Sequence, residues 1–353
     1  MKEKPQYNVH SMSLEEKLGH MLMVGFRGYE LENGVFPETV LSGGIPAGYI
    51  LFDKDVARGT DTRNIESPDQ LRRLTDAIRK RADAPVFIAT DQEGGRVSRL
   101  SPQRGFPPIP SHQELGSLPV EETYHQSRKT ASLLKSMGID MNFAPCVDLG
   151  IAKKSAVIYG LGRSFSEDPH VVLRHAAAWI QGHKEEQVHA VLKHFPGHGS
   201  ASGDTHKGIV DASSTWSEAE LEPYKALIRG READMVMISH LYIRQLDPLY
   251  PASLSEKIIG TLLREHLGFE GLVISDDLQM SAITDEFGIS ESIRRAITAG
   301  NDLLVFGNNL SYDPEIVSRF IHTVSGMIEK GEITEERIDA SVVRILKAKK
   351  GCF

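Results

Sequence analysis

The chain alternates short apolar runs with longer amphipathic segments. Eight of the apolar runs are nearly continuous and lack the strict alternation of a sheet with one face in water. The runs begin at His20, Ala47, Pro85, Met141, His189, Asp234, Gly271 and Asn301. Strands that are buried on both faces of a parallel sheet have this composition, so the pattern predicts eight such strands.

The segments between the runs have the residue spacing of amphipathic helices. Residues 67–82 start with Ser-Pro, a common helix entry, and their apolar residues recur at helical spacing. Residues 253–269 contain a helix-stop glycine, Gly268. Strands that alternate with helices predict an α/β fold, a single (β/α)8 barrel, with a doubly wound open sheet as the alternative. The first strand–helix unit is irregular, because residues 20–26 also fit the continuation of a helix that begins near Ser13.

Composition and charge narrow the class of protein. The 353 residues are 40% hydrophobic and 25% charged, with a formal net charge of −8 and no basic stripe, which argues against a nucleic-acid partner. The apolar runs are too short to span a membrane, and residues 1–17 lack the apolar stretch of a signal peptide. Low cysteine use, only Cys146 and Cys352, suits a reducing compartment. We therefore expect one cytoplasmic catalytic domain over residues 1–353, without a membrane partner.

Polar or ionisable residues close six of the eight predicted strands. They are Asp91, Asp148, Lys193 with His194, His240, Asp276 with Asp277, and Asn308. In a (β/α)8 barrel the carboxyl ends of all strands meet at one mouth, where active sites are built. The set exceeds what contact with water requires and predicts a catalytic mouth, although Asp277 already lies in a turn and fits a structural role.

The segment KHFPGHGSASGDTH, residues 193–206, is rich in titratable groups. Its glycines and prolines indicate a strand end that runs into a loop. Asp204 stands two residues before His206, and a carboxylate beside an imidazole fixes its tautomer and raises its basicity. His206 is therefore a candidate proton shuttle. Lys193 suits the binding of hydroxyls or anions, and Asp276 can attack an electrophilic carbon or hold a cation.

A metal-dependent hydrolase is a more remote alternative. Its candidate metal ligands would be His194, His198, His206, His240 and Asp276. The histidine spacings match no Cys/His zinc pattern, and the first strand ends in VGFRG where barrel metallohydrolases typically have a His-x-His pair. The sequence therefore predicts no metal and no cofactor.

Six motifs, in order and over roughly residues 12–310, are DQEGGRVSR, FPPIPS, NFAPCVDL, SAVIYGLGRSFSEDP, KHFPGHGSASGDTH and ISDDLQM. Together they resemble the β-N-acetylglucosaminidases of glycoside hydrolase family 3, of the bacterial cell-wall-recycling type. The resemblance implies a barrel fold and a retaining mechanism without a cofactor. It also implies a carbohydrate substrate that contains N-acetylglucosamine, such as a muropeptide or a related oligosaccharide.

The resemblance also implies roles for individual residues. Asp276 matches the nucleophile, His206 the general acid/base and Asp204 the carboxylate that partners it. The residues that match sugar-binding positions are Asp91, Arg99, Arg163, Lys193 and His194. A β-glucosidase, an N-acetylglucosaminide phosphorylase and a non-catalytic sugar-binding protein remain alternatives on the same barrel.

Overall fold

The computed structural model describes residues 9–31, 46–82 and 85–350. Eight parallel strands form its central sheet. They are β1 (Leu22–Gly25), β2 (Gly48–Ile50), β3 (Phe87–Thr90), β4 (Met141–Asn142), β5 (His189–Phe195), β6 (Met235–Ile238), β7 (Leu272–Ser275) and β8 (Leu304–Phe306). Each lies inside one of the eight predicted runs.

The strands pair in the order β7-β6-β5-β4-β3-β2-β1-β8. A parallel bridge between Ile274 and Leu303 then joins the two ends of the sheet. The sheet therefore closes into the predicted (β/α)8 barrel, and the open doubly wound sheet is wrong.

Helices connect the strands and surround the barrel. They are α1 (Leu14–His20), α2 (Pro68–Arg81), α3 (Val120–Ser136), α4 (Pro169–Glu185), α5 (Glu222–Arg229), α6 (Lys257–His266), α7 (Ser281–Ala299), α8 (Ile316–Glu329) and α9 (Glu335–Lys350). A short helix, His112–Gly116, precedes α3. The apolar face of α2 is buried through Leu71, Leu74 and Ile78, which confirms the helix predicted from their spacing.

In the first strand–helix unit, a short helix ends directly before the first strand. Ser13 caps α1 by accepting a hydrogen bond from the backbone of Glu16, whose side chain bonds back to the backbone of Ser13. The helix ends at His20, and residues 22–25 form β1 with all four residues buried. The interpretation of this run as a continued helix is therefore wrong. Residues 32–45, where a helix after β1 would fall, lie outside the described residues.

Burial on both faces explains the continuous apolar runs. Every residue of β1, β3, β6 and β7 is buried, because the barrel interior packs on one face and the helices pack on the other. Within the described ranges, no helix combines the length and apolar character needed to cross a bilayer. Cys146 is a buried free thiol, and Cys352 lies outside the described residues.

Two small sheets shape the loops at the carboxyl ends of the strands. Gln92–Gly94 pairs with Val97–Ser98 in a hairpin directly after β3. Val210–Asp211 pairs in parallel with Leu241–Tyr242, which joins the loop after β5 to the loop after β6. The long loop after β5 is therefore held at both ends. It starts at the end of β5, and its residues Val210–Asp211 pair with the loop after β6.

Candidate active site

A buried network of alternating charges links the ends of β3 and β5. The Nζ atom of Lys193 lies 2.8 Å from Asp91 Oδ1 and 2.6 Å from Glu93 Oε1. Arg163 donates to both oxygens of Glu93, from Nε and Nη2, each at 2.8 Å. The side chain of Lys193 is 3% exposed and that of Glu93 is 1% exposed, so these charges are stabilised by one another and not by water.

The pKa values show how the network stays ionised. Burial acts to raise the pKa of Glu93, but the charges of Arg163 and Lys193 outweigh burial and hold this pKa far below its usual range. Burial acts in the same way on Asp91, and the charges of Lys193 and Arg99 leave its pKa below the usual value. Burial acts to lower the pKa of Lys193, but Asp91 and Glu93 bring it above the usual value. The network is therefore fully charged at neutral pH.

His194 extends this network towards β4. Its Nδ1 atom lies 2.7 Å from Asp148 Oδ2, and its Nε2 atom lies 3.2 Å from Arg163 Nη2. A guanidinium only donates, so Nε2 of His194 accepts and Nδ1 carries the proton. Asp148 Oδ1 also accepts the backbone N–H groups of His194 at 3.1 Å and of His198 at 2.8 Å. These contacts hold the His194 ring in one orientation.

Arg99 lies on the other side of Asp91. Its guanidinium is 3.4 Å from Asp91 Oδ2 and 3.7 Å from Asp53 Oδ1, and Asp53 follows β2. Within the described part of the chain, Arg99 Nε and Asp53 Oδ1 are buried without a hydrogen-bond partner. The guanidinium of Arg99 therefore lies between two carboxylates, and its side chain is 30% exposed.

Asp276 directly follows β7 at the same mouth. Its backbone N–H donates to Ile238 O at 3.0 Å, and its Oδ1 accepts from Asp277 N at 2.8 Å. Burial acts to raise the pKa of Asp276, but electrostatic interactions with His240, His194 and His206 outweigh burial and leave this pKa below its usual value. The carboxylate is therefore ionised, as a nucleophile must be.

The neighbours of Asp276 brace the turn after β7. His240 is buried, with Nε2 donating to Asp277 O at 2.9 Å and Nδ1 lying 2.7 Å from Ser253 Oγ. Asp277 accepts backbone N–H groups from Gln279 at 3.0 Å and Gly307 at 3.1 Å. Burial raises the pKa of Asp277 to about 6. These contacts confirm the prediction that Asp277 is a structural turn residue.

The Asp204–His206 pair lies on the loop after β5. Nδ1 of His206 is 2.8 Å from Asp204 Oδ1, which also accepts the backbone N–H of His206 at 3.0 Å. Burial acts to raise the pKa of Asp204, but the hydrogen bond from His206 brings it below the usual value. The turn Thr205–Lys207 packs against α7, the helix after Asp276, and His206 acts electrostatically on Asp276. The turn that carries His206 therefore lies against the helix that follows Asp276.

All eight residues predicted for the site lie around this mouth. Five of them are Asp91, Arg99, Arg163, Lys193 and His194, which form one connected set of contacts. Asp276 directly follows β7, and Asp204 and His206 lie on the loop after β5. The roles implied by the resemblance stay predictions.

Four further residues take part in these contacts without a predicted catalytic or sugar-binding role: Asp53, Glu93, Asp148 and His240. Asp148 and His240 stand at strand ends, so their position carried a signal. Glu93 lies inside the quoted DQEGG motif, where it resembles an ordinary turn residue. Its position between two cations depends on residues far away in the sequence.

Cys146, Asp148 and His194 form a cluster with metal-ligating atoms within 4.8 Å of one another. These atoms already satisfy each other, because Cys146 Sγ donates to Asp148 Oδ2 at 3.1 Å and His194 Nδ1 donates to the same oxygen. Burial raises the pKa of the Cys146 thiol, which keeps it protonated, whereas metal binding needs a thiolate. The cluster fits a hydrogen-bond network better than a metal site.

A closed (β/α)8 barrel that gathers carboxylates, imidazoles and cations at its strand ends belongs to the class of barrel enzymes. The particular family follows from comparison with known proteins. The chain belongs to glycoside hydrolase family 3, because the family model "Glycosyl hydrolase family 3 N terminal domain" matches residues 13–348. The predicted family, fold and glycoside hydrolase class are thereby confirmed.

Curated and solved relatives agree with this assignment. A beta-hexosaminidase of Xylella fastidiosa (strain M23) is 35% identical over 291 residues, which are 79% of this chain and 80% of that protein. Beta-hexosaminidase LpqI of Mycobacterium tuberculosis is 33% identical over 347 residues, 96% of this chain and 83% of that protein. The solved structure of M. tuberculosis LpqI matches with a TM-score of 0.79 and 31% identity, over 96% of this chain and 94% of that one.

A larger solved relative is the glycoside hydrolase family 3 beta-N-acetylglucosaminidase from Paenibacillus sp. str. FPU-7. It matches with a TM-score of 0.85 and 31% identity over 97% of this chain. The match spans only 63% of the Paenibacillus chain. The present chain therefore corresponds to less than two thirds of that protein.

Proposed function

We propose that the protein is an exo-acting β-N-acetylglucosaminidase. It removes terminal, non-reducing β-linked N-acetylglucosamine from muropeptides or related oligosaccharides. The beta-hexosaminidase and beta-N-acetylglucosaminidase names of its relatives support this activity. The observation that carries the proposal is the shared mouth of Asp276, His206 and the network around Lys193.

Asp276 is the nucleophile in this proposal. Its ionised carboxylate attacks the anomeric carbon through an oxocarbenium-like transition state and forms a glycosyl ester as the leaving oxygen departs. Water then attacks the same carbon, which releases the carboxylate and gives net retention of configuration. No cofactor takes part in either step.

His206 supplies and removes the proton. Asp204 accepts from Nδ1 of His206, so Nε2 is the atom available to the substrate. In the first step Nε2–H of the imidazolium protonates the leaving oxygen, and the neutral imidazole remains. In the second step Nε2 takes a proton from the attacking water. The carboxylate of Asp204 stabilises the imidazolium that donates the proton in the first step and that forms again in the second step.

The charge network holds the sugar. Asp91 accepts from sugar hydroxyl groups, while Lys193, Arg163 and His194 contact the remaining hydroxyls and the N-acetyl group. The partial exposure of Arg99 and Asp91, 30% and 16% of their side chains, supports this role, because sugar hydroxyls both donate and accept.

Phosphorolysis is a second candidate reaction. The proposed acid/base is a half-exposed imidazole, whose side chain is 56% exposed. A neutral imidazole repels an incoming phosphate less than a carboxylate would, so phosphate could replace water in the second step. Turnover in the presence and absence of phosphate, with glycosyl phosphate as the diagnostic product, separates the two reactions.

Asp276→Ala tests the proposed function. With p-nitrophenyl β-N-acetylglucosaminide, we expect turnover to fall by about 10⁴-fold or more, because the nucleophile is lost. The control is Asp285→Ala, an exposed carboxylate on α7, which should retain activity. The anomer released first by the unmodified enzyme, read by proton NMR, should be β. Undiminished turnover in Asp276→Ala, or a first product of α configuration, contradicts the proposal. A higher rate on the matching glucoside would favour a β-glucosidase.

A further inference from the structure

The loop that carries His206 is fastened at its base by a carboxyl group that the proposed mechanism does not use. Glu220 lies on the turn Glu218–Leu221, just before α5, and is fully buried. Its Oε1 atom accepts from Ser200 N at 2.6 Å, and its Oε2 atom accepts from Leu149 N at 3.3 Å. Glu220 therefore joins the loop after β5 to the loop after β4.

Two glycines allow this close contact. A Cβ atom added to Gly197 would lie 2.4 Å from Glu220 Cβ, and the φ of Gly197 is +117°, which favours glycine. A Cβ added to Gly199 would lie 1.8 Å from Leu149 O. The base of the loop is therefore pressed against the side chain of Glu220 and against the β4 loop, without room for a larger residue.

The part of the loop beyond Ser200 is held differently. The hydrogen bonds described for residues 201–207 stay inside the loop, such as Ala201 N to His198 O and Lys207 N to Asp204 O. The turn Thr205–Lys207 reaches the barrel by packing against α7. The bond from Ser200 N to Glu220 is thus the last hydrogen bond to the barrel before the His206 turn.

We propose that Glu220 is a positioning residue that holds this loop so that His206 reaches the leaving oxygen of a sugar bound at Asp276. The inference rests on the role proposed above for His206. Both donors to Glu220 are backbone N–H groups, so its side chain must offer an acceptor at each end. Burial and the charge of Asp148 raise the pKa of Glu220 to about 7, and both the ionised and the neutral carboxyl meet that need.

Glu220→Gln removes one acceptor and keeps the shape of the side chain. The amide group of glutamine presents N–H to one of the two backbone N–H groups, which loosens the loop base. The measurement is kcat/KM for two leaving groups, because protonation matters only when the leaving oxygen is strongly basic. We expect kcat/KM to fall by about tenfold or more for N,N′-diacetylchitobiose. For the 2,4-dinitrophenyl glycoside it should stay within about threefold.

A merely structural role would give a different result. A general loss of folded enzyme lowers kcat/KM equally for the two substrates. Equal losses therefore overturn the inference, and so does the absence of any loss. Gly197→Ala tests it from the loop side, because the added Cβ pushes against Glu220, and the same selective loss is expected. This second variant carries the test if Glu220→Gln does not fold, as judged by circular dichroism.

Two further variants keep the interpretation clear. Gly331→Ala is the matched control for backbone strain, since Gly331 has a φ of +71° and nothing within 4 Å of its added Cβ. It should show no selective loss. His206→Ala should show the selective loss most strongly. If it does not, the proposed function itself fails. If His206→Ala is selective but Glu220→Gln is not, only the role of Glu220 is overturned.

Discussion

The two halves of the site are built in opposite ways. The charge network around Lys193 and Glu93 is almost fully buried, and its contacts connect β3, β5 and the loop after β4. His206 is 56% exposed, and its hydrogen-bond partner Asp204 stands two residues away on the same loop. The half that we propose to bind the sugar is therefore preformed, whereas the half that we propose to transfer the proton lies on a loop.

This difference sets what each half contributes. In the buried network each charge is stabilised by neighbours of opposite sign, so removal of one leaves its partners buried without compensation. His206 covers little surface and has one partner, so its removal should affect the reaction and not the fold. Mutations in the two halves should therefore separate stability from rate.

The largest expected effect is that of Glu93→Ala. It leaves Lys193 and Arg163 buried without their shared carboxylate, which should lower the free energy of unfolding by about 3–5 kcal/mol. Activity should be lost as well, because both cations move from their present positions. Urea denaturation followed by circular dichroism measures the first effect. A loss below about 1 kcal/mol would show that water reaches the network.

His206→Ala should affect rate alone. We expect kcat/KM for a substrate with a poor leaving group to fall by about 10²- to 10⁴-fold, the usual contribution of a general acid. The free energy of unfolding should change by less than about 0.5 kcal/mol, because the side chain is exposed. Kinetics and urea denaturation on the same preparation check both parts. A large loss of stability would mean that the His206 side chain helps to stabilise the fold, which would contradict the proposed difference between the two halves.

The fold and most site positions could be predicted because the barrel imposes regular patterns. Burial on both faces produces continuous apolar strands, and the common mouth gives polar residues at strand ends, such as Asp91, Lys193 and Asp276. These signals are local, so they survive without knowledge of the tertiary structure. The end of α1 was ambiguous because residues 20–26 are apolar in either conformation. The cap at Ser13 marks the start of that helix and not its end.

The partners of the site could not be predicted, because they come from distant sequence. Glu93 meets Arg163 across 70 residues and Glu220 meets Ser200 across 20 residues. Glu220 stands in a segment with the composition of an exposed helix start, yet it is fully buried and Gly197 packs against its side chain. Such contacts depend on how the loops pack against one another. Neither residue type nor spacing along the sequence predicts that packing.

Acid should affect the buried half selectively. The pKa values of Glu93 and Asp148 lie below their usual values of 4.5 and 3.8. Burial acts to raise both pKa values, but the cations beside Glu93 and the imidazoles beside Asp148 lower them by more. Their stabilising contribution is therefore present above those usual values and is lost as the pH falls towards the lower, folded-state values. We expect the free energy of unfolding to fall by about 2 kcal/mol or more between pH 5 and pH 3.

Glu93→Gln provides the check on this pH dependence. It removes one of the carboxylates that must be protonated, so its loss of stability between pH 5 and pH 3 should be shallower than that of the unmodified protein. His206→Ala should follow the unmodified protein closely over the same range. Identical slopes for all three proteins would assign the acid sensitivity to other carboxylates.

The smallest expected effect is at an exposed ion pair near the mouth. Lys153 lies 2.8 Å from Glu167, with 54% and 65% of the two side chains exposed, and it stacks 4.5 Å from the ring centre of Tyr159. Water competes for both charges, so Lys153→Met should change the free energy of unfolding by less than about 1 kcal/mol. A loss as large as that of Glu93→Ala would mean that burial does not separate the two kinds of ion pair. The difference between Lys153 and Lys193 would then not be due to the exclusion of water, and the preformed arrangement of the buried charge network would need another cause.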